Sequence, residues 1–164
     1  MKNPVPLHSQ KSLNNPVTQV LQDVLADTYG LYLATHNYHW NVEGSKFIIL
    51  HKLFEDQYNE LFLAVDLIAE RIRALGDYAL PFEGDNIIKI SKMTSNALNK
   101  ESKADERAER MVHNLIELNE AVIKSCQWAK EEFRNVNDDE SDNLMVERIT
   151  VHQKALWMLR SIVK

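Results

Sequence analysis

Imidazole and carboxylate side chains are the donors that hold divalent iron with a position left open for an oxidant. This chain sets five of them close together: His39, His51, Glu55, Asp66 and Glu70. His51 and Glu55 are four residues apart, as are Asp66 and Glu70, so within a helix each pair projects from one face on successive turns. The fifteen residues from His51 to Asp66 bring the azimuth round by only about 60°, which places all four on a common stripe. They cannot share one ion within one chain. Glu55 and Asp66 are separated by roughly 16 Å of helix rise, whereas a ligand sits about 2 Å from its metal. Two copies of the helix, antiparallel about a twofold axis, remove the difficulty. The His51/Glu55 end of one then faces the Asp66/Glu70 end of the other, giving two equivalent sites. His39 joins them if the chain folds back at Gly44.

The donor set suits Fe(II), since a zinc site would more often bring thiolate. The Glu-x-x-His pair of single-chain di-iron bundles is missing; the nearest approach, Glu147 to His152, has the wrong spacing. Each residue also has an ordinary reading. A lone histidine on a half-apolar helix is usually structural, and carboxylates four apart are commonly solvated, with Glu70-Arg71 as surface salt-bridge decoration. Asp66 interrupts the apolar run LFLAVDLIA, and burial there requires a charge partner.

Long helices are needed to carry this stripe. Asn15-Pro16 is a helix start, a capping side chain followed by proline at the first helical position. Apolar residues then recur through Val20, Leu21, Val24, Leu25 and Leu31 until Glu43-Gly44 stops the helix. A second helix is expected from about Ser45 to Leu75, with Gly76 as its C-cap. Residues 77–102 read as a long crossover containing Pro81, Gly84 and a short helix near Ile90–Leu98. Ser102 and Asp105 resemble a capping box opening a third helix toward Phe133. The acidic segment NVNDDESDN then separates it from a fourth helix ending near Val163. Residues 1–14 read as a flexible tail, and 15–164 as one all-α, ferritin-like four-helix bundle with a long middle crossover.

Composition limits the function classes. The net charge of −5 excludes a surface that grips nucleic acid everywhere. The single Cys126 offers no disulfide framework, and no run is long and apolar enough for a signal peptide or a membrane span. A cytoplasmic protein is expected.

The stretch HWNVEGSKFIILHKLFEDQYNELFLAVDLIAERIRALG, with WMLR near the C-terminus and the acidic segment before the last helix, resembles the DNA-protection-during-starvation (Dps) miniferritins. His-Trp, a glycine turn, a second histidine twelve residues on and Asp-x-x-x-Glu-Arg together carry the likeness. The resemblance implies a hollow homododecamer built from twofold dimers. Its ferroxidase centres would lie between subunits, with His39, His51 and Glu55 from one chain and Asp66 and Glu70 from the other. It implies oxidation of Fe(II), preferably by hydrogen peroxide, storage of ferric mineral and protection of the cell and its DNA, with zinc as a non-physiological occupant of the site. Glu55 stands where many members have aspartate, which bears on a weaker second iron position. Trp40 is read chiefly as interface packing, and secondarily as a residue over the centre that accepts a stray oxidising equivalent. Tyr38 and Tyr58 are weaker cases of the same kind. The resemblance also places Asp138 and Asp142 at threefold pores through which iron enters; read alone, the acidic cluster is a solvated linker with an N-cap charge pattern.

The alternative is a nucleoid-associated architectural protein that binds DNA, with ferroxidase activity secondary. The tail offers only Lys2 and Lys11 before Asp23, so DNA binding is expected to be weak or absent. His8, His36, His113 and His152 are expected on the surface or in packing roles.

Overall fold

The computed structural model describes residues 15–80 and 86–164. The expected tail, its two lysines, Pro81 and Gly84 lie outside the described residues. Asn15 accepts a hydrogen bond at 3.1 Å from the amide of Val17, and Pro16 opens α1 (Pro16–Asn41). Leu21, Val24, Leu25, Leu31 and Tyr38 turn inward from it. The chain then reverses into α2 (Phe47–Ala74), whose inner face is Leu50, Phe54, Leu61, Ile68 and Ile72. α2 closes at a left-handed Gly76 (φ +97°), with the amides of Gly76 and Asp77 bonded back to Arg73 and Ile72. That is the paired closure that glycine permits at a helix C-terminus.

Three further helices complete the chain: α3 (Asn86–Ala97), α4 (Ala104–Asn135) and α5 (Asp139–Ile162). α1, α2, α4 and α5 form an all-α, ferritin-like four-helix bundle, and α3 packs in the crossover against α1 and α4. The crossover helix is longer than the sequence suggests and begins earlier. Ser102 is not the cap of α4. The N-cap is Lys103, whose amide donates to the Glu106 carboxylate at 3.4 Å, while the Asp105 carboxylate is taken by Ser45. The acidic segment is also not a linker through its length. Asp138 is the N-cap of α5, and Asp139, Glu140 and Asp142 occupy its first turn, where the helix dipole favours negative charge.

The α1–α2 turn is held from outside. Gly44 has φ +100°, and Ser45 donates from its amide at 2.6 Å and its hydroxyl at 2.9 Å to one oxygen of Asp105 at the start of α4. A Cβ on Gly44 would collide with that same oxygen. The left-handed backbone and the close carboxylate each disfavour a side chain. Gly44→Ala is therefore expected to destabilise the fold by about 1–3 kcal/mol, read as a lower urea midpoint at unchanged slope.

Candidate metal centre

The Gly44 turn lays the end of α1 against the start of α2, so that His39 and His51 meet face to face. Their ring centroids are 3.9 Å apart, with planes inclined by 20°. Each Nδ1 then bonds to the other residue's backbone carbonyl: His39 Nδ1 to the oxygen of His51 at 3.0 Å, and His51 Nδ1 to the oxygen of His39 at 2.9 Å. A carbonyl can only accept, so both Nδ1 atoms carry the proton and donate. In the neutral imidazoles both Nε2 atoms therefore keep their lone pairs, which is how a metal-ligating histidine is commonly fixed.

Glu55 stands one turn beyond His51 on α2. Lys52 contacts it at 2.9 Å and Asp56 at 2.8 Å. The hydrogen bond and charge of Lys52 hold the Glu55 carboxyl below the usual range, with His39 adding to the effect. Glu55 is thus an anion at neutral pH, already paired with an exposed ammonium group.

Asp66 and Glu70 lie on the far half of α2, and both are exposed. Within the single chain Asp66 is not buried, and its neighbours Phe62, Leu63 and Leu67 are themselves 59%, 67% and 48% exposed. Leu61, Ala64 and Ile68 of that run turn into the core, while Phe62, Leu63 and Leu67 face out of the bundle. Among the described residues, no three His, Cys, Asp or Glu side chains gather closely enough to hold a metal ion. The structure thus brings His39 and His51 together with Glu55 a turn away, and leaves Asp66 and Glu70 on another part of the same surface.

Around the imidazole pair lies an aromatic cluster. His36 stacks on Tyr58 at 4.2 Å and lies 4.2 Å from Trp40. Tyr58 approaches His39 edge-on at 5.1 Å. Trp40 is exposed and rests on His36. Tyr38 points the other way, into the core, where Asn114 donates to its hydroxyl at 2.8 Å and burial pushes its pKa up to about 12. The sequence reading missed His36. Its signal was present, since Tyr32, His36 and Trp40 recur every four residues and His39 lies three beyond His36, the spacings of one helix face.

The other polar residues have structural partners. Asp138 bonds Ser141 and the Arg71 guanidinium, the latter at 2.6 Å. Burial opposes its ionisation, but Ser141 and Arg71 outweigh it and hold the carboxyl below its ordinary value. Arg71 is thereby committed within the chain. Asp142 meets Arg134 at 3.3 Å. Cys126 is buried, and burial pushes its thiol up to about 12.

His152 is buried between α4 and α5. Its Nδ1 donates to Asn119 at 2.9 Å, and Nε2 accepts from Arg148 at 3.3 Å. Arg148 in turn forks onto Glu60 of α2. Both ring nitrogens are used, so this imidazole is no ligand. Burial, and then the charge of Arg148, depress its pKa to about 3.

A ferritin-like domain family model matches residues 18–164. The chain is 30% identical over 151 residues to DNA protection during starvation protein 2 of Bacillus anthracis, covering 92% of this chain and 99% of that protein. The crystallised Dps of Thermosynechococcus elongatus superposes with a TM-score of 0.75 at 26% identity, over 91% of this chain and 90% of that one. A Dps protein from Vibrio cholerae O1, described as a member of a broad superfamily of ferritin-like diiron-carboxylate proteins, gives 0.74 at 26% identity, with 91% and 89% covered.

Two measurements follow from these contacts. Lys52 competes with any cation for Glu55, so Lys52→Met is expected to tighten Co(II) or Zn(II) binding by about three- to ten-fold at low salt, read by calorimetric titration. For His152, the unfolded chain takes up a proton below about pH 6.5 that the folded chain refuses. Its contribution to stability is present above that pH and is lost as pH falls toward 3. His152→Gln should flatten the acid limb of stability by on the order of 1 kcal/mol per pH unit, measured by urea unfolding between about pH 6 and pH 4.

Proposed function

The chain belongs to the Dps miniferritins of the ferritin-like superfamily, and from that premise we propose that it is a ferroxidase and iron-storage protein. It binds Fe(II) between subunits, oxidises it with hydrogen peroxide in preference to dioxygen, and stores the ferric product inside a hollow dodecamer in the cytoplasm. His39, His51 and Glu55 of one subunit and Asp66 and Glu70 of a second compose each centre. The observation that carries this reading is the reciprocal clasp of His39 and His51, which leaves two Nε2 donors free beside an ionised Glu55. A second support is the bare surface of α2. Phe62, Leu63 and Leu67 around Asp66 make an apolar strip of the kind that a second copy covers.

Neutral imidazoles bind Fe(II) without cancelling its charge, and the carboxylates stabilise the ferric product more than the ferrous substrate. Taking two electrons from iron for each peroxide avoids release of hydroxyl radical. Protection of DNA then needs no contact with it. Asp142, and Asp138 beside it, are proposed to draw Fe(II) to the pores. Zinc is a plausible occupant only as a competitor. The second reading, an architectural protein that binds DNA directly, finds support in the name of the Bacillus anthracis relative but little in a chain of net charge −5.

The shared centre has a genetic test. Assemblies made only of His51→Ala chains, or only of Asp66→Ala chains, lack one half of every site and should lose rapid peroxide-dependent Fe(II) oxidation while remaining assembled. In a mixed dimer, one centre receives both intact halves and the other receives both lesions. Stopped-flow oxidation should therefore partly return after co-assembly. No return in dimers verified as mixed would overturn the shared centre.

A further inference from the structure

Arginine keeps its charge inside a protein, so a guanidinium drawn out of water must find acceptors. Arg71, Arg107, Arg134, Arg148 and Arg160 each meet a carboxylate. Arg73 donates to the Asp77 carbonyl at 2.9 Å and lies over the Tyr78 ring. Arg110 of α4 is the exception among the described residues. Its Nε and Nη2 are both buried, and neither meets a hydrogen-bond acceptor. The three carboxylates that precede it on α4 are turned elsewhere: Asp105 to Ser45, Glu106 to the amide of Lys103, and Glu109 toward His113. Two unpaired N–H groups of a cation, closed off from water, are a cost that packing does not offset.

The same side chain lines an open hollow where the last turn of α3, the connection after it and the start of α4 converge. The other lining residues are Ser95, Asn96, Asn99 and Ser102. All four are neutral, and all can donate a hydrogen bond. Asn99 accepts the Glu101 amide at its side-chain oxygen at 3.1 Å, which leaves its NH2 group to donate. Ser102 accepts Arg107 at its carbonyl, which leaves its hydroxyl. No carboxylate of the described residues lines the hollow. One guanidinium, two hydroxyls and two side-chain amides make a receptor for an anion with several acceptor oxygens.

We propose that this hollow binds inorganic phosphate, with Arg110 as its charged anchor. The anion draws the Nε–Nη2 edge of the guanidinium toward it, the pair of parallel donors that matches two oxygens of an oxyanion. Ser95, Asn96, Asn99 and Ser102 donate to the remaining oxygens. A carboxylate has two oxygens and leaves half of these donors unmet. A DNA phosphate presents the same chemistry, but it brings its sugars and a polyanion that a chain of net charge −5 repels. Bound phosphate ties the end of α3 to α4, where the Asn114 amide reaches the Met93 carbonyl only at 3.5 Å. The site shares no residue with the proposed iron centre and does not rest on that reading.

The test is calorimetric titration of inorganic phosphate into the assembled, iron-free protein at constant ionic strength, with a short DNA duplex titrated in parallel. Wild-type protein should bind phosphate. Arg110→Lys keeps the charge but loses the fork and should weaken binding by about ten-fold, while Arg110→Met should abolish it. Arg160→Met, which removes an exposed and paired guanidinium, should leave it unchanged. Only the folded chain has the site, so phosphate should raise the thermal midpoint of the wild type, at one fixed protein concentration, and not that of Arg110→Met. In phosphate-free buffer Arg110→Met should be as stable as the wild type or more so, since the unpaired charge is gone. Absence of phosphate binding by the wild type overturns the proposal, as does binding that survives Arg110→Met. Duplex binding that depends on Arg110, with no response to phosphate, assigns the hollow to nucleic acid and overturns it too. A lower midpoint for Arg110→Met in phosphate-free buffer shows that the guanidinium already has a partner in the assembly, with the same consequence.

Discussion

A straight helix holds its residues at fixed separations, and α2 is a single helix of 28 residues. The donors near its start and those toward its end therefore stay roughly 16 Å apart whatever the rest of the chain does. Everything at the candidate centre is arranged around that distance. On the near side the Gly44 turn, pinned by Asp105, presses His39 onto His51 and exposes two nitrogen donors. On the far side Asp66 and Glu70 are exposed, and beside Asp66 stand the apolar Phe62, Leu63 and Leu67, which the bundle does not cover. A pair of half-sites on one rod has its natural completion in a second rod running the other way.

The rest of the bundle keeps that rod exposed on one side and anchored on the other. α2 packs closely along α1, but it approaches α5 more loosely, across a cavity of about 240 Å³ lined in part by Gln57, Asn119 and His152. What bridges the gap is the chain Glu60–Arg148–His152–Asn119. An arginine only 5% exposed is costly to bury; the bidentate carboxylate and the neutral imidazole offset that cost. A second bridge, Arg71 to Asp138 and Ser141, ties the other end of α2 to the start of α5. Both bridges use side chains on the inner flank of α2 and leave the strip around Asp66 free.

Much of this was legible in the residues themselves. The four-residue pairs on α2, the Asn15-Pro16 start and the Gly76 stop are local patterns, and local geometry decides them. The tautomer of the two histidines was not legible, because it depends on carbonyls brought close by a turn between helices. The exposure of Asp66 was not legible for a related reason. An apolar run reads as core in a single chain, and only the packing of α1, α4 and α5 reveals which flank of α2 is left over. The acidic cluster before α5 was resolved by the same kind of contact: Asp138 is committed to Arg71, which is sixty-seven residues away in sequence. His36 illustrates the converse. Its spacing from Tyr32 and Trp40 was visible, but nothing in the spacing told that Tyr58 would close over it from α2.

Where the metal binds decides between a centre shared by two chains and one built within a single chain. Crystals of the assembled protein loaded anaerobically with Fe(II), measured with X-rays just above and just below the iron absorption edge, would locate iron directly by anomalous difference density. The predicted peak lies between two chains, about 2 Å from His39 or His51 Nε2 of one and from the Asp66 and Glu70 carboxylates of the other. Iron bound at full occupancy by residues of one chain alone, with the His39–His51 pair bare, would contradict it.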